Sequence, residues 1–463
     1  MSDLRLRPDA GTVGLADGRV LLGGSPYKVL RLSEKAARLV SGWFDGEPVS
    51  CAPSHRGLAA RLVRAGIAHP AYEHPALSPR DVTVVVPVRD HAESLARLIP
   101  ALGELALVVV DDGSRVPVTV ATLRHERPRG PAAARNSGWR LARTGLVAFV
   151  DADVTPEPGW LEPLLAHFED PEVAAVAPRV RSTAGPSALE RYERARSSLD
   201  LGDVAAPVRP GSRVSYVPSA AMLVRTSALR DLGGFDESMR FGEDVDLVWR
   251  LNAAGRQVRY EPASVVSHAP RARWSAWARQ RFQYGTSAAP LAIRHGKAVT
   301  PVKVSVWSAL SWAVAAAGRP LIGGGVAVTT AALLPRKLGR VGVPAKMSLR
   351  LALTGHLGAG RLLADAVTRS WSPVAVPLLA TSRRGRLVLA GAYGRHVWDW
   401  YRERPPVPLP QWVAARILDD AAYGAGVWWG ALRYRTMTPL LPDLADWPGR
   451  DGVDTGGVEE RPA

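Results

Sequence analysis

Val82-Thr-Val-Val-Val-Pro-Val is a nearly unbroken β-branched run, and no other segment restricts the fold of this chain as tightly. A strand half-exposed to water would alternate polar and apolar positions; an unbroken run is expected of a strand covered on both faces. A helix is predicted next, over 92–102, then a second apolar strand over 105–110. After a weaker segment come a helix over 131–143 and a strand over 145–150. Alternation of strand and helix predicts a parallel α/β sheet. In such sheets ligands gather at the carboxyl ends of the strands.

Those ends are acidic. Asp111-Asp112-Gly-Ser closes the second strand and Asp151-Ala-Asp153 the third. Glu243-Asp244 follows a Gly-Gly-Phe-Asp turn, and His268 ends a further short apolar stretch. The chain has 59 Lys and Arg against 43 Asp and Glu, so acids collected at strand ends call for a reason beyond solubility. Carboxylates there can hold a divalent cation, Mg2+ or Mn2+, and the cation can hold a diphosphate. Asp151 and Asp153 have the spacing for this, and an imidazole from His268 could complete the metal shell. A strand-end acid such as Asp111 or Asp112 can also accept a hydrogen bond from a nucleobase, although Asp-Gly-Ser is equally ordinary turn chemistry. Arg135, on the predicted helix, can clamp a nucleotide through its guanidinium. Displacement at an anomeric carbon needs a base for the acceptor hydroxyl proton. Asp244 is the candidate, with Glu243 orienting it; acids favoured by a helix N-terminus are the plainer alternative.

Length bounds the rest. The 463 residues suffice for two or three domains. Residues 1–79 read as a small winged-helix-like unit: two short strands joined by a Gly-Gly-Ser-Pro turn, a helix over 34–44, and a second over 56–65 ending at Gly66. Residues 80–298 hold the α/β unit. Residues 299–441 are expected to be helical and membrane-associated. The apolar stretches 304–318 and 320–335 are short for a membrane span of about 20 residues, but Lys297, Lys303, Arg336, Lys337 and Arg340 flank them as they would an interfacial helix on an anionic inner leaflet. Residues 442–463 read as a disordered tail. Cys51 is the single cysteine, which excludes an intrachain disulfide, and no apolar signal segment opens the chain; both predict a cytoplasmic protein. Lysine occurs six times and arginine supplies the other basic residues, spread along the chain rather than clustered. That spread weighs against a nucleic-acid-binding protein with a winged-helix head, the alternative of another class.

The ordered set Val86-Pro87, Asp111-Asp112-Gly-Ser, Ala134-Arg-Asn-Ser-Gly, Asp151-Ala-Asp153, Gly233-Gly-Phe-Asp and Gly242-Glu-Asp-Val-Asp resembles the family-2 inverting glycosyltransferases of the GT-A fold, over about residues 80–285. The resemblance implies a Rossmann-like α/β transferase domain, a UDP- or GDP-sugar donor, a divalent metal, and single displacement with inversion. By position it implies that Pro87, Asp111, Asp112, Arg135 and Asp151 serve the donor nucleotide, Asp153 and His268 the metal, and Asp244 and Glu243 the proton transfer. Gln280 and Arg281 loosely resemble the Gln-x-x-Arg-Trp signature of processive members, without its Trp, and are assigned to the donor diphosphate. The N-terminal unit is similar to the small peptide-recognition domains of modified-peptide pathways. With it the resemblance implies a peptide-derived redox-cofactor precursor as acceptor and glucose from UDP-glucose, added once or repeatedly. A membrane polysaccharide or glycolipid transferase is the alternative within the same chemistry.

Overall fold

The computed structural model describes residues 4–73, 75–183 and 185–445. The chain divides into two compact units, and the first 79 residues are shared between them. The first unit holds residues 1–12, 23–27 and 40–270; the second holds 13–22, 28–39 and 271–463.

The first unit is built on one large sheet. Its strands run, side by side, Val154–Pro156, Gln257–His268, Val173–Ser182, Ala221–Arg225, Leu146–Val150, Val82–Val88, Ala106–Asp111 and Leu123–Arg124, with Ala206–Pro207 added against Gln257–His268. Val82–Val88 lies parallel to both its neighbours, and six of its seven residues are buried, as its composition predicts. The helices Ala92–Leu102 and Pro131–Trp139 follow the expected alternation. The second of these approaches the sheet closely: a Cβ on Gly138 would stand 2.3 Å from Val85 Cγ1, so only glycine admits that contact. The sheet is not wholly parallel, however. Ala221–Arg225 runs antiparallel to both Leu146–Val150 and Val173–Ser182. The expectation of a parallel sheet therefore fails at Ala221–Arg225 and at the edge strands Val154–Pro156 and Ala206–Pro207, while Val173–Ser182 lies parallel to Gln257–His268. From Val173–Ser182 the chain reaches Ala221 by way of the short helix Ala188–Arg196 and the strand Ala206–Pro207, and antiparallel entry requires no crossover helix. The core beneath the sheet is dominated by Val, Leu and Ala, including Val84, Val86, Leu98, Ala148, Leu164 and Val176.

At the N-terminus, Leu4–Pro8 pairs antiparallel with Ala68–Tyr72 in the first unit. The helix Pro53–Ala65 starts three residues before the predicted Arg56, because proline is acceptable in a helix's first turn, and it ends at Gly66 in the left-handed conformation. A three-stranded sheet of Val13–Leu15, Val20–Gly23 and Lys28–Arg31 gives Val20, Leu22 and Val29 to a core with Ala331, Leu334, Leu338, Val343 and Ala352, all within the second unit.

The second unit is otherwise helical. Trp274–Thr286 packs along Leu409–Arg433 with backbones almost touching: a Cβ on Gly285 would meet Tyr423 O at 2.2 Å, and one on Gly426 would meet Phe282 O at 2.0 Å. The apolar stretches flagged in the sequence form the helices Val306–Ala316 and Pro320–Leu338. Among the described residues no helix is long and apolar enough to cross a membrane. Of the expected disordered tail, Asp443–Ala445 forms a strand parallel to Lys303–Ser305, and residues 446–463 lie outside the described residues.

Candidate active site

The strands Val82–Val88 and Leu146–Val150 are neighbours, yet the chain leaves the first toward Ala106–Asp111 on one side before returning for the second on the other. A crevice opens at the carboxyl ends where the direction of winding reverses. Asp151 lies directly after Leu146–Val150, at its mouth.

Arg135 joins the acids there. Its Nη2 donates to Asp151 Oδ1 at 2.7 Å and its Nη1 to Glu243 Oε1 at 2.9 Å. The guanidinium lies 5.6 Å from the centre of the Phe235 ring, and the side chain is only 5% exposed. Both terminal nitrogens are thus bound to carboxylates, while Nε has no protein partner.

The turn before Glu243 is fixed from two sides. Asn136 Nδ2 donates to Phe235 O, and Asn136 Oδ1 accepts from Phe235 N at 2.9 Å and from Trp139 Nε1 at 3.0 Å. Gly234 sits at φ +78°, where a Cβ would come within 2.3 Å of Asn136 Oδ1. Arg250 donates to Leu232 O and Gly234 O and pairs at 2.8 Å with the fully buried Asp246. Glu243 and Asp244 then open the helix Glu243–Ala253, where the unpaired amides and macrodipole favour negative charge. Asp244 Oδ2 accepts from Ser219 N at 3.2 Å and Oδ1 from Val245 N at 2.8 Å.

Burial pushes the Glu243 carboxyl up to about 7, with Asp244 adding to the rise and Arg135 opposing it. Asp244 is raised as well, by its depth among protein atoms, against the pull of Val245 N and Arg135. For Arg135, burial disfavours the charge, but Asp151 and Glu243 outweigh it and hold the guanidinium protonated. The pair is therefore poised to exchange a proton near neutrality, where a general base works best. If this pair serves as the base of a transfer, its protonated form is inactive, and kcat/KM is then expected to fall on the acid side through an apparent value of about 7, that of Glu243. A pH–rate profile whose acid limb lay below pH 5 would detach this pair from catalysis.

Asp153 and His268 meet on the opposite side of the Asp-Ala-Asp segment. Val154–Pro156 pairs antiparallel with Gln257–His268, setting Val154 opposite His268, and His268 Nε2 lies 3.5 Å from Asp153 Oδ2. The side chains are 13% and 21% exposed. Among the described residues no group of three or more His, Cys, Asp or Glu is gathered for a metal. The pair fits a divalent cation as two of its ligands, one nitrogen and one oxygen, leaving the remaining positions to be filled from outside the protein.

Asp111 and Asp112 are engaged differently from the sequence expectation. Asp111 is fully buried; Ser114 N donates to Oδ1, and Val118 N and Arg124 Nη1 to Oδ2. Burial opposes its ionisation, but the Ser114 and Val118 donors and Arg124 hold it below the usual carboxylate range. Asp112 accepts from Arg129 N and Gly130 N, each at 2.8 Å, and from His125 Nδ1 at 2.7 Å. Both carboxylates thus organise the loops that frame the crevice. Pro87 is half-buried near the end of its strand, opposite Val110. Gln280 and Arg281 stand on Trp274–Thr286 of the second unit, where Arg281 is buried with Nε 3.4 Å from Asp419 and stacks 5.0 Å from the Trp277 ring centre.

Sequence reasoning passed over His125, which links Asp112 to Ser137 Oγ at 2.9 Å, and Ser219, whose amide holds Asp244. Neither carries a local signal beyond its place near a strand end. Asp246 and Arg250 were passed over too; they pair one helical turn apart.

Acids gathered at the carboxyl ends of a mixed sheet, where its winding reverses, are the arrangement of a glycosyltransferase of the GT-A fold. The sequence model of "Glycosyl transferase family 2" matches residues 83–233. A protein of Mycobacterium tuberculosis (strain H37Rv) described as "Pre-mycofactocin glycosyltransferase" is 44% identical over 456 residues, covering 93% of this chain and 95% of its own. The succinoglycan biosynthesis protein ExoU of Rhizobium meliloti is 30% identical over 207 residues, covering 40% of this chain and 60% of its own. Among solved structures, a mannosyltransferase of Pyrobaculum calidifontis in complex with GDP-Man and Mn2+ shares 18% identity, covering 83% of this chain and 97% of its own, at a TM-score of 0.39. The chain belongs to glycosyl transferase family 2, and it is a glycosyltransferase resembling the mycobacterial one.

Proposed function

We propose that this enzyme transfers glucose from UDP-glucose, with inversion, to the peptide-derived precursor of a redox cofactor in the mycofactocin pathway, in one round or several. The observation that carries the reading is the mycobacterial relative, alike over 93% of this chain. In this reading Asp244 takes the proton from the acceptor hydroxyl as its oxygen bonds to the anomeric carbon and the bond to the nucleoside diphosphate breaks. Glu243 shares the proton load, and Arg135 keeps the pair and Asp151 in register. Asp111, Asp112 and Pro87 shape the nucleoside side of the crevice. A divalent cation, Mg2+ or Mn2+, held by Asp153 and His268 would neutralise the diphosphate that leaves. The first 79 residues are assigned to the peptide-derived acceptor. The enzyme works in the cytoplasm, with the second unit in peripheral contact with the inner leaflet.

The purified chain, given UDP-glucose, Mn2+ and the precursor, is expected to yield a product heavier by one or more hexoses in a mass spectrum, and chelation with EDTA should abolish it. Transfer from UDP-glucose to a lipid acceptor, with none to the precursor, would replace this reading by a glycolipid transferase.

A further inference from the structure

The hairpin of Val306–Ala316 and Pro320–Leu338 turns an apolar face outward. Its inner side carries polar groups beside the buried Ala331, Leu334 and Leu338. Ser308 and Ser311 are buried, Ser311 Oγ donates to Gly323 O at 2.7 Å, and a Cβ on Gly323 would stand 2.5 Å from Ser311 O. His356, on the neighbouring helix Ala345–Thr368, lies 2.9 Å from Ser308 Oγ through Nδ1 and 3.1 Å from Thr330 Oγ1 through Nε2. Its outer side is apolar. Trp307, Leu310, Leu321, Ile322, Val328 and Leu333 are exposed, Leu321 to 89%. Between Ser305 and Pro335 the only charged residue is Arg319, at the turn. Exposed apolar surface of this extent marks an interaction site.

Charge tells which partner. From Lys297 to Trp398 the chain has fourteen Lys and Arg and a single acid, Asp365, which pairs with Arg395. Arg336, Lys337 and Arg340 are exposed at one end of the hairpin. At the other, Arg319 and Arg384 border a shallow cavity completed by Val314, Ala317, Gly318 and Ile322. Two guanidiniums beside the side chains of Val314 and Ile322 suit the phosphate and first methylenes of an anionic lipid. A second copy of the chain would bring the same basic fringe against itself, which electrostatics disfavours. Because no described helix can cross a membrane, the surface lies in the interface plane rather than through it.

We propose that the outer face of the 306–338 hairpin docks this enzyme on an anionic phospholipid bilayer, with Arg319 and Arg384 seating a lipid phosphate. The proposal rests on the reading of the second unit as membrane-contacting, and its test needs neither donor nor acceptor. The full chain is sedimented with vesicles of phosphatidylcholine alone or with phosphatidylglycerol. Wild type is expected to bind the anionic vesicles at least tenfold more tightly than the neutral ones, and less so as salt rises. Leu321→Glu with Ile322→Glu should reduce anionic binding at least tenfold with an unchanged Tm, both side chains being exposed. Arg319→Ser with Arg384→Ser should remove the preference for anionic over neutral vesicles. Equal sedimentation of the Glu variant and wild type, or no vesicle binding by wild type, would overturn the docking. So would a wild-type dimer in solution that the Glu variant dissolves, which would assign the face to a second copy. Hexose transfer to a soluble acceptor, measured separately, reports on the glycosyltransferase reading; its loss would leave the vesicle result standing.

Discussion

Asp244→Asn is expected to lower kcat by about 10^2 to 10^4-fold, the range that a positioned general base contributes. The amide cannot take a proton, yet it matches the carboxylate in size, so the crevice should persist. The small cost is local: Ser219 N and Val245 N both donate to this side chain, and the amide offers only one acceptor. Binding of the nucleotide-sugar donor, read as a donor-induced rise in Tm, should therefore stay close to that of wild type. A variant retaining full activity would remove Asp244 as the base, while one that loses donor stabilisation together with activity would show that Asp244 holds the fold of the crevice instead.

Arg135→Met is expected to cost about 3–5 kcal/mol of stability at pH 8, the penalty for stripping one partner from a buried ion pair. Met fills similar space, but Glu243 and Asp151 lose their shared cation. The pH dependence has a definite sign. Arg135 pulls the Glu243 and Asp244 carboxyls down, so its removal raises both further above their unfolded values. A carboxyl raised in the folded state binds more protons there than in the unfolded chain, so folding gains as pH falls through that window. The Tm deficit should be largest at pH 8 and shrink toward pH 5. The acid limb of any residual activity should move to higher pH. A deficit independent of pH would mean that Arg135 contributes through packing on Phe235 rather than through charge.

The parallel half of the sheet was legible because its strands are β-branched and end in acids. The strand Val82–Val88 and the helix Ala92–Leu102 fall where the sequence puts them. The rest of the sheet was not. Val173–Ser182, parallel to Gln257–His268 and antiparallel to Ala221–Arg225, reads Val-Ala-Ala-Val-Ala-Pro-Arg-Val-Arg-Ser, too weak in β-branched residues to announce itself, and no local pattern encodes strand direction. The acids of the crevice were legible as a set, and the Arg135 link between Asp151 and Glu243 was not, since it joins residues 108 apart in the chain. Asp111 and Asp112 read in the sequence as nucleobase acceptors or as turn acids; Arg124 and His125, brought back by the edge strand Leu123–Arg124, bond to them. The hairpin helices were legible as apolar stretches, but which side faces outward depends on His356, some 48 residues beyond Ser308.

The hairpin strands near the N-terminus impose an order of events on synthesis. Val20, Leu22 and Val29 share their core with Ala331, Leu334 and Ala352, so their partners emerge from the ribosome some three hundred residues later. At about 5–20 residues per second, that is a delay of roughly 15–60 s during which an apolar hairpin has nothing to cover it. The nascent chain must carry that exposed segment while the transferase sheet forms behind it, which makes this enzyme a natural client for a ribosome-proximal chaperone and a poor candidate for division at residue 79.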